Sequence, residues 1–148
     1  MQEIDLTKSK DVIGAYNSID FSYERKTYTD YGTQYCFDVL DGKIIAGYNI
    51  QLACFRHLRD LQRQGDSDFP YVYSVDAFNR FLKFLSLVPN VDDLSQKLEP
   101  MDWQYFIFAQ LFAWFDLDDV PRFSNIIISI ARSQGKTMIA GICLNFSY

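Results

Sequence analysis

The residues best suited to chemistry stand together near the end of the chain, in Ala131-Arg132-Ser133-Gln134-Gly135-Lys136-Thr137. A polyphosphate concentrates negative charge, and backbone amides converging at a helix N-terminus hold such charge well because the helix dipole also favours it. In that role Ser133, Gln134 and Gly135 supply amides, and Gly135 lets the backbone come close. Lys136 bridges the terminal phosphates, and Thr137 places its hydroxyl on a magnesium ion. The common pattern for such a loop has a glycine where this chain has Ile130.

A phosphate loop of this kind needs a strand before it and a helix after it. Asn125-Ile126-Ile127-Ile128-Ser129-Ile130 is a β-branched run of strand length, apolar on both faces as a central parallel strand should be. After the loop, Ile139, Ile142, Cys143 and Phe146 fall on one helical face. The order predicted is strand, loop, helix.

Three further helices precede this unit. From Gly42 onward, Ile45, Tyr48, Leu52, Phe55 and Leu58 recur at three- and four-residue steps, which predicts an amphipathic helix ending before Gly65. Ser74 is a helix cap with Asp76 in the first turn, Tyr73 and Phe78 are spaced for a hydrophobic staple, and Pro89 is the stop. Pro100 suits the first turn of a third helix, and apolar residues cover almost its whole circumference from Trp103 to Phe115. Residues 1–34, polar and tyrosine-bearing without a clear period, read as a loosely ordered N-terminal arm.

Composition narrows the field. With 49% hydrophobic and 17% aromatic residues the chain can bury one core, and a net charge of -5 argues against direct DNA binding, which needs clustered Lys and Arg. Cys36, Cys54 and Cys143 are scattered and read as reduced thiols. The start of the chain has neither the basic region nor the apolar run of a secretory signal, and the apolar stretch from Phe106 to Phe115 is too short for a membrane span, so a soluble, intracellular protein is expected.

A loop reading Ala-Arg-x-x-Gly-Lys-Thr without its first glycine resembles the large terminase subunit of tailed bacteriophages. The likeness extends to Asp38-Val39-Leu40-Asp41-Gly42-Lys43-Ile44 and to the run from Leu52 to Leu61. It extends also to Leu98-Glu99-Pro100-Met101-Asp102-Trp103-Gln104 and Leu111-Phe112-Ala113-Trp114, so that it covers roughly residues 35–145. The family's usual Leu-Glu-Pro-Trp-Gln is lengthened here by Met101-Asp102.

This resemblance implies the N-terminal portion of a motor that pumps viral DNA into a preformed capsid, with an ATPase domain followed by a metal-dependent nuclease in the intact protein. ATP and magnesium are the implied cofactors. Gln104 would contact adenine, since an amide can both donate and accept, and Arg132 would sense charge near the γ-phosphate. The implied partners are the rest of the large subunit, the small terminase subunit, the portal and viral DNA. The implied location is the cytoplasm of an infected or prophage-carrying bacterium, with a transient stay at the procapsid portal.

The fold class expected is mainly α with one clear β-strand, an incomplete piece of a helix-covered parallel sheet of the P-loop ATPase type that runs over residues 35–148. The few residues after Thr137 are used by the loop's own helix, which leaves no strand to carry a magnesium-binding acid. Weak nucleotide binding at most is therefore expected of this chain alone, without ATP turnover or DNA cleavage. A single strand also leaves its edges to be paired by Tyr71-Val72-Tyr73, by the arm, by self-association or by a second polypeptide. The alternative function is a non-catalytic, terminase-like interaction module that meets a portal, a small terminase or a host protein through its helices.

Other groupings carry less. Cys54 and His57 lie one helical turn apart, but two residues fall short of the three or four protein ligands of a zinc site. Asp116, Asp118 and Asp119 lack the glycine and terminal glutamate of a calcium loop and read as a solvated turn. The aromatics of the third helix read as core, because a base-stacking platform comes with a basic groove.

Overall fold

The computed structural model describes residues 4–147. Residues 1–3 of the expected arm and Tyr148 lie outside them. Helices α1 (Leu6–Ser9), α2 (Val12–Asn17), α3 (Ser22–Thr27), α4 (Tyr31–Leu40) and α5 (Tyr48–Arg63) come first. Strand β1 (Tyr71–Tyr73), helices α6 (Val75–Leu85) and α7 (Asp102–Phe112), strand β2 (Trp114–Asp116) and helix α8 (Lys136–Ser147) follow. The fold is mainly helical with one small antiparallel sheet. No helix among the described residues is long and apolar enough to cross a membrane.

The loose arm gives way to short, capped helices. Asp5, Asp11 and Asp30 each accept a backbone N–H at the start of α1, α2 and α4, satisfying donors that a helix start leaves open. Val12, Tyr16 and Phe21 are buried, and α4 packs between α5 and α7. Residues this short in period escape a helical reading because each helix offers too few turns for a stripe to repeat.

The middle helices match the spacing that predicts them, with shifted ends. In α5 the buried side is Cys54, Phe55, His57, Leu58 and Leu61; the helix begins only at Tyr48, so Ile45 stands outside it and fully exposed. In α6 the Ser74 hydroxyl accepts from the Ala77 amide at 3.1 Å, and Phe78, Phe81 and Leu85 face the core. Phe81 stacks on Phe112 and meets Phe146 edge-on, which ties α6, α7 and α8 together.

The third helix stops at Phe112, not Phe115. Beyond it the chain turns into β2, which pairs antiparallel with β1 in the register Tyr71↔Asp116, Val72↔Phe115 and Tyr73↔Trp114. Tyr71-Val72-Tyr73 is therefore already paired. The run predicted as the one clear strand, residues 125–130, is extended but belongs to no sheet, and the expected strand-first reading is corrected to two three-residue strands elsewhere. A β-branched run favours extended backbone, yet a strand also needs a partner, and none of the described residues supplies one.

At the centre of the helical body lies a buried polar chain. The Thr33 hydroxyl donates to Asp30 Oδ1 at 3.0 Å, so its lone pair faces His57 Nε2, also at 3.0 Å, and that nitrogen must carry the ring proton. His57 Nδ1 is then free to accept from Gln110 Nε2 at 2.9 Å. The Tyr73 hydroxyl completes the chain by donating to Asp30 Oδ2 at 2.7 Å, and burial pushes its phenol pKa well above the ordinary value. Desolvation, with Arg56 and Arg122 nearby, holds the His57 pKa down at about 3. Both ring nitrogens being engaged, His57 here locks α4, α5 and α7 together.

Candidate phosphate-binding loop

The chain reaches the loop through a clamp. Arg122 donates to Asp60 Oδ2 at 2.8 Å, and its guanidinium lies over the rings of Phe69, Tyr71, Trp114 and Phe123. This arrangement anchors the connection after β2 to α5 and the small sheet. The turn before it is closed by Asp116, whose Oδ1 accepts from the amides of Asp118 and Val120, so the aspartates serve a turn. Between Arg122 and α8 the backbone is open.

In the loop, Ser133 has φ 64° and Gly135 has φ 81°, while Arg132, Gln134 and Lys136 keep the ordinary negative sign. Alternating signs of φ are a feature of anion-binding nests, in which successive N–H groups turn toward one side. Ser133 holds a left-handed conformation that costs a residue with a Cβ about 1–2 kcal/mol, as do Lys10 and Asp119 in the connections after α1 and β2. Helix α8 follows directly, its Ile139 amide donating to the Gly135 carbonyl at 2.9 Å. Lys136 and Thr137 occupy its first turn, exposed to solvent, as are Arg132, Ser133 and Gln134.

Gly135 is required for two reasons. Its φ disfavours any side chain, and a Cβ there would stand 3.2 Å from Gln104 Nε2. Gln104 is itself buried in the first turn of α7, where its Oε1 accepts from the Met101 amide at 2.9 Å. Its Nε2 makes no hydrogen bond among the described residues. Two residues far apart in sequence, Gln104 and Gly135, are thus brought into contact, with the amide donor of the first unpaired beside the loop.

Lys136 also borders a cleft of about 750 Å³ between α6, α7, α8 and the extended segment, walled by Phe112, Phe115, Ile128, Ile139 and Phe146. Ile139 and Ile142, expected on the inner face of α8, are buried, and Cys143 and Phe146 are half-buried beside them. Arg132, singled out by the resemblance, makes no hydrogen bond or ion pair among the described residues. The clamp at Arg122 and the His57 chain escaped sequence reasoning, because neither pairing has a local spacing to betray it. No cluster of three or more His, Cys, Asp or Glu side chains able to hold a metal occurs among the described residues. Comparison of the chain with protein-family models, with curated proteins and with solved structures gave no match.

Proposed function

We propose that Arg132–Thr137 is an ATP phosphate-binding loop, and that the chain is the N-terminal portion of a viral DNA-packaging motor of the large-terminase kind. The single observation that carries the reading is the run of alternating backbone signs through Ser133 and Gly135 into the first turn of α8, with Lys136 free beside it. A loop with alternating φ signs, a helix dipole and an ammonium unpaired among the described residues together suit a polyphosphate and its magnesium. On this reading Lys136 bridges the terminal phosphates and Thr137 carries the magnesium. Arg132 answers charge at the γ-phosphate.

The adenine role of Gln104 rests on the resemblance alone; its nearness to Gly135 sets an amide donor, unpaired among the described residues, beside the loop that would hold the phosphates. The Oε1 keeps a second lone pair after accepting from Met101, so among the described residues the side chain retains two N–H donors and one acceptor site. Hydrolysis needs a carboxylate that holds magnesium and a group that orients water; in the proposed motor both belong to later strands of the intact protein.

Titration of magnesium-ATP against the chain and its Lys136→Ala variant tests the proposal. Saturable binding that weakens at least about tenfold in the variant supports it, in line with the loss of a charge-assisted contact worth at least about 1.4 kcal/mol. Equal affinity in both proteins, or binding in neither, favours a non-catalytic interaction module, a reading for which the unpaired segment 125–130 also speaks.

A further inference from the structure

We infer that the side-chain amide of Gln104 is a phosphate ligand. Its Nε2 donates to an oxygen of the polyphosphate held by residues 133–137, so the site takes a magnesium polyphosphate without selecting the base that the polyphosphate carries. This assignment rests on the phosphate-loop reading, and it moves Gln104 from the base edge that the resemblance implies to the anion itself.

One end of the amide is fixed. Gln104 stands in the first turn of α7, where its Oε1 accepts from the Met101 N–H at 2.9 Å. A backbone N–H can only donate, so the atom facing it is the oxygen, and the NH2 group occupies the other branch of the planar amide. That branch meets the loop. Nε2 lies 3.2 Å from the place a Cβ of residue 135 would take, in a space shared with the terminal methyl of Met138. Gln104 is only 4% exposed, and no loop carbonyl or other group among the described residues accepts from Nε2. Swinging the amide away would give up the bond to Met101 and leave the Met101 N–H open.

The position of this donor decides what it serves. Helix α8 runs from Lys136 to Ser147, long enough for its dipole and the open amides of its first turn to favour an anion at the N-terminus. An oxygen held by the amide of Gly135 or Lys136 lies about 2.9 Å from that nitrogen, and Nε2 sits against the same glycine. The edge of a base is set apart from those phosphates by the ribose and the phosphate next to it. A buried N–H without an acceptor is costly, and the anion supplies the acceptor that the loop does not. Gln104 thus adds a neutral donor from α7 to the backbone amides and the charge of Lys136.

The test follows the side-chain amide protons of Gln104 by nuclear magnetic resonance while the chain is titrated with magnesium tripolyphosphate and, separately, with adenosine. Tripolyphosphate alone should shift them at the same midpoint as the backbone amides of residues 133–137, and adenosine should leave them in place. Gln104→Glu keeps an acceptor for Met101 and replaces the donor by a carboxylate. It should weaken binding of magnesium-ATP, magnesium-GTP and magnesium tripolyphosphate by a common factor of at least about tenfold. The neutral Gln104→Met variant should weaken all three alike, by about threefold or more. A shift with adenosine, or a loss confined to ATP, assigns Gln104 to the base and overturns the inference. Movement of the loop amides with tripolyphosphate while Gln104 stays still overturns it too, leaving Gln104 as a cap of α7. In each of these cases the phosphate loop stands. If neither the loop nor Gln104 responds to tripolyphosphate, and Lys136→Ala binds magnesium-ATP as the parent does, the loop itself falls and the inference with it.

Discussion

The body from Val12 to Asp116 and the stretch from Leu117 to Ser147 obey different rules. In the body, large side chains such as Phe37, Phe78, Phe81, Phe108 and Trp114 are essentially inaccessible, and the polar groups among them are chained to one another through Asp30, Thr33, His57 and Gln110. In the second stretch Ile127 stands in solvent, and among the described residues the backbone from Asn125 to Ile130 is unpaired and the cations Arg132 and Lys136 are unengaged. What differs is where the unmet demands lie. The closed body has spent most of its buried hydrogen-bonding groups on itself, Gln104 Nε2 and Trp114 Nε1 excepted, whereas the open stretch keeps amides, apolar faces and charges available to something else.

If that contrast is sound, substitutions in the body should cost several times more than those in the open stretch. Trp114→Ala removes a fully buried ring that meets His57, Phe69 and Tyr73, and chemical denaturation should show a loss of about 3–5 kcal/mol. Trp114 Nε1 has no partner among the described residues, so a Trp114→Phe variant should recover much of that loss. Next comes His57→Leu, which strands the Thr33 lone pair and the Gln110 amide and should cost about 2–4 kcal/mol by the same measurement.

The pH dependence sharpens the same comparison. His57 is held neutral down to about 3 in the folded chain, against an ordinary value of 6.5. Its contribution is therefore fully present above pH 6.5 and is lost as the pH falls from there toward 3, because only the unfolded state takes up the proton. The slope from this one group is up to about 1.4 kcal/mol per pH unit, and His57→Leu should remove it from a series of denaturation curves. A slope that survives in the variant would assign the acid sensitivity to other groups.

Arg122 sits at the border between the two regions. Arg122→Ala removes the closest partner of Asp60 and the stack on Phe69 and Trp114, leaving Arg63 at 3.7 Å; a loss of about 2 kcal/mol is expected, with faster amide exchange at residues 117–130 ahead of the body. Ile127→Ala should be the mildest, within about 0.5 kcal/mol of the parent in a thermal melt. A large loss at Ile127 would erase the distinction between the two regions.

What the sequence discloses follows the same division. Helices α5 and α6 are legible because apolar residues at helical spacing and the Ser74 cap are local signals, and the inner face of α8 is legible for the same reason. The small sheet is not, since three-residue strands have no period and the pairing of Tyr71–Tyr73 with Trp114–Asp116 is decided by contacts across the fold. The run Asn125–Ile130 reveals its extended preference but not its lack of a partner, for propensity describes one chain segment and a sheet takes two. The glycine at 135 is legible as a place of backbone freedom. Its second reason, the nearness of Gln104, belongs to tertiary structure.

Whether the amides of Ser133 through Thr137 hold polyphosphate is decided by nuclear magnetic resonance of the backbone amides under a magnesium-ATP titration. Saturable shifts confined to Ser133, Gln134, Gly135, Lys136 and Thr137 are expected, with the Gln104 side-chain amide following them and the His57 environment unmoved. Shifts scattered over the body, or a loop that ignores magnesium-ATP at saturating concentration, would contradict that role.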